Sequence, residues 1–424
     1  MSAVSTEELI RRADLAERLG AKEDAAQLWA RLLAIAPQHP RALFIEGRRR
    51  VEAGDAAAAL DLLSRAEALD PANAEAPLFL ALAHRSLGEF PAALDALDRA
   101  LARDPYFLMA LLSKGAILER LGKSRLAALV YKNAIKIAPP PERLPSFLRS
   151  ALERAHAHVA ANASALANYL RAQTAASRHT AKSPHLDRFE ESIDILAGVQ
   201  PRYVHDPILL YYPRLPAIPF HDRESFPWLA KLEAHTETIT AELNEVLRED
   251  LTKFAPYIQF PPEAPVNQWA QLNHSAAWST YFLWRDGVRQ DANCARCPKT
   301  AALIETLPLA RQTGYAPTAM FSLLRPRTHI PAHTGSANTR LIVHLPLILP
   351  HGCRFRVGAE TRDWRLGEAW VFDDTIDHEA WNDSDETRVI FIFDVWNPLL
   401  SEAERALVTE MMTAYSAYIH AEDD

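Results

Sequence analysis

Over its first 140 residues the chain places apolar positions three and four apart, the spacing of amphipathic helices, and the pattern recurs with a fixed period. Glycine falls at 20, 54, 88 and 122 and proline at 37, 71, 105 and 139, both series stepping by 34. Ala25, Ala59, Ala93 and Ala127 follow the glycines by five, and Leu32, Ala66, Ala100 and Ala134 by twelve. Such a period means one supersecondary unit copied along the chain. Glycine turns the first helix of each unit into the second, small alanines let the pair approach, and proline closes the unit. Pro139, Pro140 and Pro141 interrupt the array. After Pro145 the stripe Leu148, Leu152, Ala155, Val159, Ala163, Leu166 and Leu170 predicts one long helix that hides the open end of the repeats.

Beyond residue 206 the texture changes, with proline and aromatics rising and alanine thinning. Leu232, Ile239, Leu243 and Val246 mark a helix whose apolar face covers a sheet. Phe321–Leu324, 339–349, GEAWVFDD and RVIFIFDVW read as strands. In the second of these, Arg340, Ile342 and His344 share one face and Leu341, Val343 and Leu345 the other; in the last, Arg388, Ile390, Ile392 and Asp394 share a side. Ser401 and Glu404 form a capping box that opens a final helix, with Leu407, Val408, Met411, Tyr415 and Tyr418 expected on its packed face.

The registered glycines, alanines and prolines resemble the tetratricopeptide repeat over residues 5–140. That resemblance implies a superhelical groove that grips a peptide or a partner protein. The expected domains are a repeat domain at 1–140, a helical cap and connector at 141–205, and a mainly β domain at 206–424. Hydrophobic content of 49% with 24% charged residues is ordinary for a soluble globular chain of 424 residues. A net charge of −8 argues against nucleic acid as a partner. Three cysteines cannot all pair, which favours a reducing compartment, and the Cys294–Cys297 C-x-x-C has no second pair to complete a zinc site. The N-terminus lacks the apolar core of a signal peptide and no apolar run reaches about 18 residues, so the expectation is a cytoplasmic protein without a membrane partner.

The chemistry lies between Phe321 and Pro398. His333 and His378 stand 45 positions apart and Arg388 follows by ten. Neutral imidazole suits Fe(II), and one histidine on each of two strands of a small barrel can share a metal. An arginine beyond the second ligand can hold a carboxylate-bearing cosubstrate next to that metal. His329 and His333 are four apart, but Pro326 and Pro331 forbid the helix that would make them a metal pair. The Asp373–Asp374 pair, at a strand end, reads as loop hydrogen-bonding residues. Left to itself, Arg388 has a bland role open to it, as an ion-pair partner of Asp385 or Asp394.

The pieces HTGSANTRL, HLPL, FDD…HE.W and R.IFI.DVW.P are similar to the aspartyl/asparaginyl β-hydroxylases, from Tyr211 to Pro398 and in the expected order. The resemblance implies an all-α tetratricopeptide-repeat solenoid followed by a mainly β, double-stranded β-helix (jelly-roll or cupin-like) oxygenase domain with flanking helices. It implies Fe(II) held by His333 and His378, with 2-oxoglutarate as cosubstrate and O2 as oxidant. Gly335 stands where most oxygenases of this fold carry a metal-binding acid, a departure the family shares. Arg388 and Ser322 are implied for the distal carboxylate of 2-oxoglutarate, His344 near its metal-binding end, and Trp278 in the lining. His333, His378 and Arg388 would carry the catalysis. Many family members have a second arginine where this chain has Ile342, leaving Arg340 to bind an acidic group of the substrate. The implied reaction hydroxylates the β-carbon of Asp or Asn in a peptide or protein, releasing succinate and CO2. The alternatives are a small molecule or lipid as substrate, halogenation at the acid-free iron, and an inactive oxygenase-like domain on a repeat scaffold.

Overall fold

The computed structural model describes residues 5–181, 186–249, 251–312 and 314–419. The chain divides into two compact units, Met1–Gln200 and Pro201–Asp424.

In the first unit the 34-residue period becomes four helical hairpins. They are α1 (Thr6–Arg18) with α2 (Lys22–Ile35), α3 (Pro40–Glu52) with α4 (Ala56–Leu69), α5 (Glu75–Ser86) with α6 (Phe90–Arg103), and α7 (Leu108–Arg120) with α8 (Ser124–Ile137). Gly20, Gly54, Gly88 and Gly122 end the first helix of each pair with φ of 75°, 83°, 80° and 71°. Nothing lies within 4 Å of a Cβ built on any of them, so glycine is there for its backbone and not for space. The alanines at 59, 93 and 127 and at 66, 100 and 134 are buried between the paired helices. Helix α9 (Ser146–Thr180) follows as one 35-residue helix. Leu152 and Ala155 join the core under α7 and α8. Farther along, Ala167 packs on Ile193 and Ala197 of α10 (Leu186–Ala197). The stretch expected as a separate cap and connector is thus divided: α9 and α10 pack with the repeats, and 201–205 opens the second unit.

The second unit is built on two antiparallel sheets. Its strands are β1 (Ala255–Pro256), β2 (Trp278–Arg285), β3 (Val288–Arg289), β4 (Ala319–Leu324), β5 (Thr328–His333), β6 (Arg340–Ile348), β7 (Cys353–Val357), β8 (Glu360–Asp363), β9 (Trp370–Phe372), β10 (His378–Asn382) and β11 (Arg388–Trp396). The larger sheet runs β1-β2-β4-β11-β6-β9 with β3 beside β2, and the smaller runs β5-β10-β7-β8. Alternation along β4, β6 and β11 splits the large sheet into two faces. Phe321, Leu323, Leu341, Val343, Leu345, Phe391 and Val395 enter a core with Leu232, Ile239, Leu243, Val246, Ala301 and Ile304. These last belong to α11 (Leu229–Glu233), α12 (Thr236–Glu249) and α14 (Pro298–Glu305), which follows α13 (Asp291–Arg296). The opposite face, through Leu324 and Ile390, packs on Ile330, Phe355, Val357 and Ala380 of the small sheet. The site lies between the two sheets.

The last helix, α15 (Glu402–Ile419), starts at the expected box: Ser401 N donates to Glu404 Oε2 (2.8 Å), and Glu404 N donates to Ser401 Oγ (3.3 Å). Its packed face is rotated from the expected one. Val408 and Met412 are buried, whereas Leu407, Met411, Tyr415 and Tyr418 are exposed. Apolarity alone marks the expected stripe, and the helix seats a neighbouring edge. Cys294, Cys297 and Cys353 are buried free thiols, the first two in the helix-covered core. Among the described residues no helix is long and apolar enough to cross a membrane.

Candidate functional site

A cavity of about 380 Å³ opens between the sheets. The large sheet turns Ser322, Arg340, His344 and Arg388 into it, and Trp278 lines it from β2. The small sheet supplies His333 and His378. All seven residues singled out from the sequence therefore meet in one place.

His333 ends β5 and His378 begins β10, directly opposite each other in the antiparallel register. Their ring centroids are 4.1 Å apart. Strand β5 is one of the two histidine-bearing strands the sequence suggests, although no alternation marks its bounds. Pro331 sits in it without cost because β5 is the edge of its sheet, and the carbonyl of Pro331 is put to use. His333 Nδ1–H donates to Pro331 O (2.7 Å) and His378 Nδ1–H donates to Ile376 O (3.0 Å). Each bond fixes the tautomer, so both Nε2 atoms keep a lone pair. Burial lowers the pKa of both rings, and for His378 the neighbouring His333 lowers it further. Two neutral imidazoles side by side, each anchored through its other nitrogen, form a donor pair for a transition metal. Among the described residues no group of three or more His, Cys, Asp and Glu is placed to hold an ion.

Gly335 explains part of that arrangement. A Cβ on it would fall within 2.6 Å of all three carboxylate atoms of Asp374, so the aspartate fills the space a side chain at 335 would take. Gly335 N also donates to Asp374 O (2.6 Å), tying the two histidine-bearing segments together. Asp374 is buried, its Oδ1 has no hydrogen-bond partner, and burial pushes its pKa up to about 7 against the pull of Arg340. The expectation for the pair thus holds for Asp373, whose Oδ1 accepts from Thr375 N and Thr375 Oγ1 (2.9 and 2.6 Å). It does not hold for Asp374, which faces the cavity. The signal available in the sequence was its spacing of four before His378.

Arg388 is 2% exposed and its guanidinium lies 5.0 Å from the centre of the Trp364 ring. Its Nε has no hydrogen-bond partner, and no carboxylate among the described residues lies within ion-pair distance. Asp385 pairs with Arg327 and Asp394 with Arg340, which removes both bland partners. Desolvation brings the guanidinium pKa down to about 10. Ser322 is buried on the adjacent strand, its Oγ accepting from Trp278 Nε1 (3.1 Å). That leaves the hydroxyl proton of Ser322 free to be donated. His344 is buried with Nδ1 unpartnered, its pKa held well below the usual value by burial and then by Arg388.

Arg340 lies at the other end. Asp394 is six residues from Arg388 along β11, roughly 20 Å of strand. Arg340 Nη1 donates to Asp394 Oδ2 and to Tyr315 O (3.3 Å), so its charge is already balanced inside the protein. Ile342 lies directly opposite Asp394 in the β6–β11 register. Tyr257 and Trp269 also line the cavity and were not singled out from the sequence; Trp269 meets the His333 ring edge-on at 5.0 Å. They come from an aperiodic stretch whose only signal was its aromatic content.

Two facing antiparallel sheets with a pair of anchored imidazoles between them, preceded in the sequence by helical repeats, define the class of protein. Residues 233–398 match the family model described as Aspartyl/Asparaginyl beta-hydroxylase, and residues 50–109 match a tetratricopeptide repeat model. The chain carries a domain of this hydroxylase family together with tetratricopeptide repeats. The ornithine lipid ester-linked acyl 2-hydroxylase of Rhizobium tropici is 35% identical over 197 residues, 46% of this chain and 66% of that protein. Human aspartyl/asparaginyl beta-hydroxylase is 40% identical over 136 residues, 32% of this chain and 18% of that protein. Human aspartate beta-hydroxylase domain-containing protein 2 is 32% identical over 206 residues, 48% of this chain and 53% of that protein. The matched stretch spans 66% or less of each of these relatives.

Proposed function

We propose that the second unit is an Fe(II)- and 2-oxoglutarate-dependent hydroxylase of the double-stranded β-helix type. One observation carries the reading: the rings of His333 and His378 lie 4.1 Å apart with both Nδ1 atoms committed to carbonyls, so both Nε2 atoms are available to one ion. Such a donor set fits Fe(II), with the remaining positions left to ligands that are not side chains. Bound there, iron with 2-oxoglutarate and O2 supplies insertion of one oxygen atom into a substrate C–H, the other going into succinate as CO2 leaves. The chain's own share is orientation and exclusion of water. Arg388 presents an uncompensated cation to the distal carboxylate, Ser322 Oγ donates beside it, and Trp278 holds that hydroxyl in place. His344, kept neutral, lines the same cavity, near enough to Arg388 and to His378 to feel both. The repeats are read separately, as a surface that binds a peptide or partner protein.

For the substrate, the name of the human relative points to Asp or Asn side chains in a peptide. A second reading, an uncharged aliphatic or acyl chain, is supported by Arg340 being neutralised by Asp394 and by Ile342 where a second cation would serve an acidic substrate. The R. tropici relative's name points the same way, and the charges of the pocket favour this reading. Anaerobic Fe(II) titration followed by 2-oxoglutarate should give a chelate absorption band that His378→Ala abolishes. Succinate release should then rise with an acyl-lipid substrate and stay near background with Asp-containing peptides. A wild-type protein that binds neither Fe(II) nor 2-oxoglutarate refutes the enzyme reading.

A further inference from the structure

Residues 203–212, the first stretch of the second unit, lie ahead of the family match that begins at 233. They cross both histidine-bearing loops and bend at Ile208 and Leu209. Ile208 N donates to Gly335 O (2.9 Å), and Leu209 N and Leu210 N both donate to Ser336 O (3.0 Å each), two and three residues beyond His333. Asp206 N donates to Thr375 O (2.8 Å), three residues before His378. The far end is locked by a reciprocal amide pair: Tyr212 N donates to Asn338 Oδ1 (2.7 Å) and Asn338 Nδ2 donates to Tyr212 O (2.9 Å). The near end is wedged by Tyr203, whose ring lies 2.6 Å from where a Cβ on Gly358 would sit.

His205 adds a side-chain link. Thr375 Oγ1 gives its proton to Asp373 Oδ1, so it can only accept from His205 Nδ1–H, 3.4 Å away, and Asp373 Oδ2 lies 3.6 Å from the same nitrogen. The His205 and Asp373 side chains are each 5% exposed or less. The turn held in this way, closed by Ile376 N donating to Asp373 O (3.3 Å), presents the Ile376 carbonyl that orients His378.

We propose that residues 203–212 are a positioning strap for the metal-binding pair, with Ile208 N–H and His205 as its working contacts on the two loops. None of these residues touches the ion; they act by holding the backbone that sets the two imidazoles. The proposal rests on the metal-site reading above.

The test uses the full chain and Mn(II) or Co(II) as the probe, with Mn(II) affinity read from the free-ion electron paramagnetic resonance signal and folding from melting curves. Ile208→Pro deletes the N–H at 208, whereas Ile208→Ala keeps it; because Ile208 sits at a bend, the melting curve shows whether its backbone accommodates proline. His205→Ala removes the second link, and His205→Asn returns a donor near the Nδ1 position. Outer-sphere partners of metal ligands are worth about 10–100-fold in affinity, so Ile208→Pro and His205→Ala should each weaken Mn(II) binding about tenfold and Ile208→Ala and His205→Asn about twofold or less. Equal Mn(II) affinity in Ile208→Pro and wild type overturns the strap. So does a loss in Ile208→Ala as large as in the proline variant, or a His205→Asn no better than His205→Ala. Should Ile208→Pro not fold, the His205 pair decides alone. Wild type that binds neither ion removes the metal site itself and the strap with it, an outcome distinct from the other three.

Discussion

Gly335→Ala isolates one close approach and should be more harmful than an exchange of hydrogen for methyl at an ordinary site. The φ of Gly335 lies outside the left-handed region, so alanine suits its backbone and any penalty must come from space. The added carbon would fall within 2.6 Å of the whole Asp374 carboxylate, where ordinary contacts begin at 3.4 Å. Asp374 is buried and has only two torsions with which to retreat, so overpacking costs about 1–3 kcal/mol. Against this stands a gain of about 0.4–1 kcal/mol from the stiffer unfolded chain. The net loss is about 1–2 kcal/mol, or roughly 2–8 °C in Tm for a unit of this size.

In an Asp374→Ala background the obstruction is gone, and Gly335→Ala should become stabilising by about 0.4–1 kcal/mol. The double-mutant cycle therefore predicts a reversal of sign and a coupling of about 1.4–3 kcal/mol. Tryptophan fluorescence is a suitable probe, because eight of the nine tryptophans follow residue 200 and report the second unit. Equal effects of Gly335→Ala in the two backgrounds would refute the placement of the Asp374 carboxylate. Additivity with a large loss in both would show that some other neighbour is crowded.

Two further outcomes follow from buried charge. Arg388→Met removes an uncompensated cation, so it should raise the melting temperature of the ligand-free protein while weakening 2-oxoglutarate binding by about 10–100-fold, the worth of a charged hydrogen bond; a lowered melting temperature would mean the cation has a partner. Burial holds His221 at a pKa of about 4, below the unfolded value of about 6.5, so as pH falls between these values the unfolded chain binds the proton first and stability is lost at about 1.4 kcal/mol per pH unit. His221→Phe keeps a ring against Phe226 and should narrow the Tm difference between pH 7 and pH 5; an unchanged difference assigns the acid sensitivity elsewhere.

What the sequence revealed follows from which interactions are local. The repeats were legible in full because each glycine, alanine and proline acts within its own 34-residue unit. The faces of β6 and β11 were legible because alternation is a property of one strand. Arg340's commitment to Asp394 was not, since it depends on the register of two strands 48 residues apart at their starts (388 − 340). Asp374 was misread because its role is set by an empty position on another chain segment. The strap was invisible for the same reason: an irregular, proline-containing stretch has no period, and its donors mean nothing until the loops they reach are in place.

The two arginines of the cavity are in opposite electrostatic situations, and that difference assigns its ends. A buried guanidinium with a carboxylate neighbour gains little from a second anion, because the first has already repaid its desolvation. Arg340 is in that position, with Asp394 bonded to it and Asp374 close enough to feel its charge. Burial has raised both carboxylates, to about 6 and about 7, so this end carries a surplus of acid and not of base. Arg388 has paid the desolvation cost without a partner, and an incoming carboxylate recovers it. In the proposed reaction an anionic cosubstrate would be drawn past the imidazole pair toward Arg388. The carbon to be oxidised in that reaction would enter beside Ile342 and Tyr257, neither of which offers a cation to a negative charge.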